Sequence, residues 1–278
     1  MVEPAKTFSY YPGCTSHSTA IEYIEASLEV IKALGIELKE LDDWCCCGAA
    51  SAHNLSSSLA LGLSAFNVAE AQKEERDLVI PCAGCYGNLA QADYVLRHDE
   101  NVRRELEEEL GFSYSGRVRM LSLVDLLAAE ELRPAIRELV KKPLAGLKVV
   151  CYYGCAIVRP GGITGVDDTE NPRRIDELVA DLGAEVSDWS CKVDCCGGDL
   201  GLTDAAKTTE LVNRIVDYAE AAGADALVTS CALCQANVDI RQQRLPILYF
   251  TELMAEAFQV GDRARWWKKH FNNPAGLF

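Results

Sequence analysis

Ten cysteines, arranged as the same pattern of five in each half of the chain, constrain the fold more than any other feature. Each half has a lone cysteine, then Cys-Cys-Gly, then Cys-x-x-Cys. From the second cysteine of the pair to Cys-x-x-Cys the interval is 35 positions in both halves. Such an internal repeat indicates duplication of one folding unit. The ten positions are Cys14, Cys46, Cys47, Cys82 and Cys85 in the first half and Cys155, Cys195, Cys196, Cys231 and Cys234 in the second.

The segments around the cysteines repeat as well. A tryptophan precedes each cysteine pair, at Trp44 and Trp189, and an asparagine follows each Cys-x-x-Cys by three residues, at Asn88 and Asn237. Agreement at matching offsets strengthens the case for a duplicated domain.

Short apolar strands alternate with amphipathic helices in each unit, which is typical of α/β folds with parallel strands. The cysteines follow strand ends, where such folds place their sites. We therefore expect the two domains to face each other across a pseudo-two-fold seam. A Lys-Lys-Pro-Leu-Ala-Gly segment interrupts the pattern and predicts domains of residues 1–142 and 143–278. The predicted strands are 8–11, 37–41, 78–80, 147–153, 184–186 and 226–228, and the predicted helices are 16–34, 55–75, 85–96, 101–110, 173–182, 203–222 and 234–244.

The composition narrows the class of protein. The net charge is −15, which argues against nucleic acid as a partner. No run of about 18 apolar residues occurs, so we expect no membrane-spanning helix. The N-terminus lacks the basic and apolar regions of a signal peptide, which predicts a cytoplasmic protein. In a reducing compartment, thirteen clustered cysteines favour metal binding over disulfides.

Five thiols in each half exceed the needs of common metal sites. A structural zinc ion takes four ligands, and a cubane [4Fe–4S] cluster takes four cysteines. Adjacent side chains diverge from the backbone, so a Cys-Cys pair suits two irons of one cluster better than one ion. The pattern favours an unusual iron–sulphur cluster, or a cubane with one free thiol. Zinc, disulfides and a vicinal Cys-Cys switch remain the alternatives.

The chain resembles the B subunit of heterodisulfide reductase over nearly its whole length, and its two cysteine sets resemble the CCG domains of that family. The resemblance implies a noncubane [4Fe–4S] cluster in each domain, with the five matched cysteines of that domain as ligands. Besides the cysteines, the resemblance rests on Tyr152-Tyr153-Gly154-Cys155, Val158-Arg159-Pro160 and Asp167-Asp168-x-Glu170-Asn171-Pro172.

The resemblance also implies an activity and partners. The family reduces a disulfide to two thiols, in methanogens the one between coenzyme M and coenzyme B. Electrons arrive through a ferredoxin-like C subunit, which is fed by a flavin-containing A subunit. This chain has no G-x-G-x-x-G, no P-loop and no ferredoxin-type cysteine run. We therefore expect it to be one component of a complex.

A second interpretation comes from a different class of protein. CCG domains also occur in iron–sulphur subunits of lactate, glycolate, glycerol-phosphate and succinate oxidoreductases. There the chain would relay electrons or serve a quinone site, without disulfide chemistry. A structural zinc protein is a third interpretation, which the fifth cysteine of each set disfavours.

Several residues outside the repeat have two interpretations each. Cys45, Cys151 and Cys191 are expected as buried thiols, with Cys45 a candidate alternate ligand because it adjoins the first pair. The histidines His17 and His53 are weak candidates to donate a proton to a leaving thiolate, or are ordinary surface residues.

Basic residues near the second cysteine set and at the C-terminus are also open to two interpretations. Those near the set are candidate contacts for an anionic substrate, or solvated charge. The tail around Trp266 and Trp267 is either a solvated basic segment or a docking segment for a partner. The basic residues are Arg159, Arg173, Arg174 and Lys192 near the set and Arg263, Arg265, Lys268 and Lys269 in the tail.

Overall fold

The structure, a computed structural model, describes residues 6–278, except for the side chains of His17 and Ala50. Its two halves contain the same succession of strands and helices. The first half contains β1 (Thr7–Tyr10), α1 (Ile21–Ala33), β2 (Glu37–Glu40), α2 (Ala49–Leu55), α3 (Ser57–Lys73), β3 (Leu78–Ile80), α4 (Ala83–His98), α5 (Glu100–Leu110), β4 (Met120–Ser122), α6 (Leu123–Leu127) and α7 (Arg133–Leu139). The second half contains β5 (Lys148–Tyr152), α8 (Gly161–Thr164), α9 (Arg174–Asp181), β6 (Glu185–Val186), α10 (Ala205–Ala221), β7 (Ala226–Thr229), α11 (Ala232–Arg241), β8 (Ile247–Tyr249), α12 (Phe250–Phe258) and α13 (Arg263–Trp267).

Two four-stranded sheets form the frame of the molecule. Their strand orders are β2-β1-β3-β4 and β6-β5-β7-β8, and every pair is parallel. The two orders are equivalent when the repeat is superposed on itself, so the predicted duplicated α/β fold is confirmed. The inner strands β3 and β7 are buried throughout, because helices cover both faces of a parallel sheet.

Two of the helix contacts between the halves are reciprocal. Helix α1 of the first half packs on α12 of the second, and α9 of the second packs on α6 of the first. In the repeat, α1 corresponds to α9 and α6 to α12, so the two contacts are related by a pseudo-two-fold axis. In the first contact, the Ser27 hydroxyl lies 3.2 Å from the Thr251 hydroxyl. The expected seam between the domains is therefore present.

Two predicted helices differ from the structure. The helix predicted over 16–34 begins at Ile21, because a 3-10 turn over Cys14–His17 precedes it. The helix predicted over 55–75 is α3, which begins at Ser57 because Ser56 adopts an extended backbone and its hydroxyl caps the helix.

The C-terminal tail packs on its own chain. The Trp266 side chain is buried, and its Nε1 donates to Glu25 Oε2 at 2.6 Å. The Trp267 ring stacks on Phe278 with centroids 4.9 Å apart. Because both tryptophans pack against other residues of the chain, no exposed tryptophan pair supports the docking interpretation.

Within residues 6–278, no helix combines the length and the apolar character needed to cross a membrane.

Candidate functional site

The carboxyl ends of the parallel strands deliver the cysteines of each half to one place. In the first half, Cys14 follows β1, Cys46 and Cys47 follow β2, and Cys82 follows β3 at the start of α4. Parallel strands end at the same edge of a sheet, so these loops converge there. The second half repeats the arrangement after β5, β6 and β7.

The sulphur atoms of each half form two close pairs. The lone cysteine pairs with the first cysteine of Cys-Cys-Gly, and the second pairs with the last cysteine of Cys-x-x-Cys. All thirteen cysteines are free, since a disulfide needs sulphurs about 2 Å apart. The Sγ–Sγ distances are 3.8 Å for Cys14–Cys46, 3.5 Å for Cys47–Cys85, 4.0 Å for Cys155–Cys195 and 3.7 Å for Cys196–Cys234.

Each cysteine set has an open side and a buried side. On the open side, Cys14, Cys46 and Cys195 are exposed and Cys155 is half-buried. The other six matched cysteines are buried. A small molecule can therefore approach each set only from the side of the lone cysteine and the first member of the pair.

The glycine after each cysteine pair is required by the backbone and by its neighbours. Gly48 and Gly197 have φ of 86° and 74°, in the left-handed region that disfavours side chains. A Cβ at Gly48 would lie 2.6 Å from Ala52 Cβ, and one at Gly197 would lie 2.9 Å from Leu211 Cδ1. The Cys-Cys-Gly turn can thus lie directly against the following helix only with glycine.

A second glycine, before each lone cysteine, leaves room beside the sulphurs. A Cβ at Gly13 would lie 3.2 Å from Cys85 Sγ, and one at Gly154 would lie 2.9 Å from Cys234 Sγ. These glycines form a cradle that a side chain would fill.

A tyrosine hydroxyl holds each Cys-Cys turn from one side. The Tyr11 hydroxyl donates to the carbonyl of Cys45 at 2.8 Å. The Tyr152 hydroxyl donates to the carbonyl of Asp194 at 2.6 Å. Each acceptor belongs to the residue just before a cysteine pair. The sequence carries a signal for this role, because each tyrosine lies three residues before the lone cysteine.

An asparagine holds each turn from the other side. Asn88 Nδ2 donates to the carbonyl of Cys47 at 3.3 Å, and Asn237 Nδ2 donates to the carbonyl of Cys196 at 2.8 Å. The repeat marks these residues in the sequence, but only the structure shows that they fix the turn.

Neighbouring thiols stabilise a thiolate in each half. The hydrogen bond from Cys85 lowers the pKa of Cys47 to about 6, against the effect of burial. The hydrogen bond from Cys155 likewise lowers the pKa of Cys195 to about 6. Thiolates are the form that binds metal, so each set contains a thiol whose pKa favours the metal-binding form near neutral pH.

The residues present fit a multi-iron group better than a single ion. Within residues 6–278, no three His, Cys, Asp or Glu side chains converge as one ion would require. Instead, four of the five sulphurs of each set form two close pairs, beside the space that the glycines leave open. Cysteine-held iron–sulphur clusters use ligands on different irons. The assignment of the ten matched cysteines as ligands stays a prediction that this geometry supports.

The three remaining cysteines have structural explanations. The Cys45 sulphur lies 3.6 Å from both the Leu63 carbonyl and Asn67 Nδ2 of α3, so it packs on that helix. Cys151 is buried in β5 and Cys191 in the loop before the second pair. Nothing in these contacts supports an alternate ligand role for Cys45.

The basic candidates near the second set all have carboxylate partners. Lys192 is 2% exposed, and its Nζ lies 2.6 Å from Asp176 Oδ1, so it is neither a surface charge nor free for a substrate. Its Nζ also donates to the carbonyl of Pro172 at 3.0 Å. The pairs are Arg159–Glu170, Arg173–Asp188, Arg174–Asp125 and Lys192–Asp176.

One histidine candidate lies near the first set. His53 is exposed on α2 and lines a cavity of about 210 Å³ together with Ser64 and Asn88. Both of these residues donate to the carbonyl of Cys47. The side chain of the other candidate, His17, lies outside the described part of the structure.

Residues 8–90 and 149–239 each match the model of the CCG family, described as a cysteine-rich domain. The chain belongs to the CCG family. The two matched segments contain all ten repeated cysteines. The duplication seen in the cysteine spacing and in the two sheets is therefore a duplication of the CCG domain.

Two relatives match this CCG protein over nearly its whole length. It is 30% identical to the 8-methylmenaquinol:fumarate reductase membrane anchor subunit of Wolinella succinogenes, over 92% of this chain and 93% of that one. It is 27% identical to the B subunit of the ferredoxin:CoB-CoM heterodisulfide reductase of Methanosarcina mazei, over 90% and 88%. The resemblance to the B subunit of heterodisulfide reductase is thus confirmed.

A solved structure shares the fold. A hypothetical protein from Helicobacter pylori superposes on 97% of this chain with a TM-score of 0.73 and 13% identity. The chain spans about half of that solved chain, 52%. This likeness concerns the fold alone.

Proposed function

We propose that this CCG protein is the iron–sulphur subunit of a heterodisulfide reductase complex. In this proposal it reduces a small-molecule disulfide to two thiols at two noncubane [4Fe–4S] clusters. One observation carries the proposal: a single chain holds two equivalent five-cysteine sites, each with one open side. Similarity to the B subunit of heterodisulfide reductase supports it.

The reaction needs two electrons and two protons for each disulfide. The sulphur–sulphur bond breaks, and each sulphur leaves as a thiol after gaining one electron and one proton. A bound iron–sulphur group supplies single electrons, so two sites in one chain suit a two-electron reduction. The chain orients the reaction, because only the open side of each set is accessible while the buried side excludes water.

Protons must reach the leaving thiolates from the chain or from solvent. His53 is a candidate in the first half because it lines the cavity beside Ser64 and Asn88. Arg159, Arg173 and Arg174 would need to exchange their carboxylate partners to bind an anionic substrate. The substrate contact is therefore expected from other groups on the open sides.

The proposal includes partners and a compartment. Electrons would come from a ferredoxin-like C subunit, which would itself receive them from a flavin-containing A subunit. The complex would lie in the cytoplasm. The similarity to one component of a named reductase complex supports an assembly of this kind.

A second candidate function is an electron relay on the quinone side of a fumarate reductase. The specific observation that favours it is the 30% identity to the fumarate reductase anchor subunit. In this case the same ten cysteines would hold the clusters, but no disulfide would be reduced.

The activity of the anaerobically purified complex separates the two candidates. With a reduced viologen dye as donor, we expect reduction of a small disulfide. We expect the Cys195→Ser variant to lose activity by about 100-fold or more, because even the outer-shell partners of metal ligands typically contribute about 10- to 100-fold. The matched control is Cys191→Ser, four residues away and outside the repeated set, with near-normal activity. Full activity and full iron in Cys195→Ser contradict the proposal, and fumarate-linked activity without disulfide reduction favours the relay.

A further inference from the structure

One tyrosine hydroxyl joins the two cysteine sites. Tyr23 lies on α1 of the first half and is 1% exposed. Its hydroxyl oxygen lies 2.9 Å from the carbonyl of Pro81 and 3.2 Å from the carbonyl of Ser230. Pro81 immediately precedes Cys82, and Ser230 immediately precedes Cys231. The same hydroxyl thus contacts the Cys-x-x-Cys turn of both domains.

The ring of Tyr23 is held rigidly in the seam. It stacks on the Tyr249 ring, with centroids 4.2 Å apart and planes inclined by 10°. Tyr249 is also fully buried. The hydroxyl therefore cannot turn to solvent, and its position relative to both turns is set by the packing of α1 on the second half.

The other side of the seam is built differently. There the reciprocal contact between α9 and α6 includes an ion pair, Arg174 with Asp125. Neither residue adjoins a Cys-x-x-Cys. The coupling of the two turns through a buried hydroxyl is therefore a feature of one side of the seam.

A phenol has one hydrogen to donate, while both of its neighbours here are acceptors. When the Tyr23 hydroxyl donates a well-aligned hydrogen bond to one of the two carbonyls, its hydrogen bond to the other carbonyl is weak. We infer that the Tyr23 hydroxyl couples the two cysteine sites, because its hydrogen bond to the Pro81 carbonyl competes with its hydrogen bond to the Ser230 carbonyl. Tyr23 is a positioning residue, and a change at one cysteine turn alters the restraint on the other.

Such a coupling is reciprocal. Loosening the Cys82 turn frees the hydroxyl to bond the Ser230 carbonyl and changes the second turn. Loosening the Cys231 turn changes the first by the same factor. The inference depends on the geometry of the two sites and not on which substrate the protein reduces.

Hydrogen exchange of the full chain, purified anaerobically, tests the coupling without any activity assay. A double-mutant cycle compares the wild type, Cys82→Ser, Tyr23→Phe and the double variant. In each protein, the amide exchange rates of residues 231–236 are measured. We expect Cys82→Ser to change exchange there by about fivefold, the equivalent of one net hydrogen bond. In the Tyr23→Phe background we expect the same substitution to have no effect at these amides.

The reverse cycle checks reciprocity. Cys231→Ser should change amide exchange in residues 82–87 by about fivefold, again only when Tyr23 is present.

Tyr10→Phe is the control, because within residues 6–278 the buried Tyr10 hydroxyl has no hydrogen-bond partner. This control substitution should leave both effects intact. If Cys82→Ser does not fold, Cys85→Ser, in the same Cys-x-x-Cys turn, replaces it. An equal effect of the cysteine substitution with tyrosine and with phenylalanine at position 23 overturns the inference.

Discussion

At the residue scale, the glycine of each Cys-Cys-Gly turn meets two requirements, a positive φ and free space where a Cβ would lie. The two can be tested separately. Gly197 and Gly223 have nearly equal φ, 74° and 75°, but only Gly197 has close neighbours around its missing Cβ. Alanine at either position costs about 1 kcal/mol or more of backbone strain. We expect Gly197→Ala to lose stability beyond Gly223→Ala and to bind less iron, as measured by urea unfolding and iron analysis. Equal losses in the two variants would mean that space at the turn is unimportant.

The tyrosine that holds each turn gives a second residue-scale prediction. Tyr152→Phe removes the hydrogen bond to the Asp194 carbonyl and should lower the free energy of unfolding by about 1 kcal/mol. Tyr10→Phe is the comparison, because in the described part of the chain no group hydrogen-bonds the Tyr10 hydroxyl. Chemical denaturation measures both. A loss in Tyr10→Phe as large as in Tyr152→Phe contradicts the assigned role.

The cysteine sites can be predicted from the sequence because their signal is a repeated spacing. The residues that support the cysteines cannot all be assigned in the same way. The role of Tyr23 depends on α1 packing against the second half, which is a contact between residues 207 positions apart. Lys192 is predicted as a substrate contact or a surface charge, but it is buried beside Asp176 of α9, a residue 16 positions earlier in the sequence.

At the element scale, a buried histidine fastens the end of the chain to α12. His270 Nε2 lies 2.9 Å from Glu252 Oε1, and its Nδ1 lies 4.0 Å from Asp239 Oδ2. Burial alone would lower the pKa of His270, but the carboxylates of Glu252, Asp239 and Glu22 raise it to about 9. The charged imidazole therefore contributes to the docking of the tail.

This contribution must vanish in alkaline solution. The folded-state pKa of His270 lies above the unfolded value of about 6.5, so its stabilisation is complete below that pH and is lost as the pH rises through about 9. The difference is on the order of 3 kcal/mol. Urea unfolding from about pH 6 to about pH 10 should show this decline in the wild type and a flatter curve in His270→Gln. Parallel curves would contradict the prediction.

Prediction of elements from the sequence succeeds where turn residues separate a strand from the next helix and fails where they do not. The strands β4 and β8 are not predicted, although β3 is equally short, because each runs directly into a helix, α6 at Leu123 and α12 at Phe250. Both interpretations of the tail leave it at the surface, because its basic residues dominate the local sequence. Only the structure shows that Trp266 lies in the core beside α1.

At the scale of the whole molecule, the two domains are not expected to be independent. Helix α1 of the first half is covered by α12 of the second, and Tyr23 would be exposed without it. We expect residues 1–142 expressed alone to lack a cooperative unfolding transition, and to regain it when residues 143–278 are co-expressed. Thermal unfolding followed by circular dichroism measures this. A cooperative transition in the isolated first half would show that the seam is dispensable.

The most direct test of the central claim is to count iron and sulphide in the anaerobically purified chain and to record low-temperature EPR spectra with added thiols. Two five-cysteine sites predict about eight irons for each chain, four in each cluster, and a paramagnetic state that thiols perturb. In Cys234→Ser we expect about half of the iron to be lost, from the second site. Zinc without iron, or a full iron content in that variant, would contradict the account.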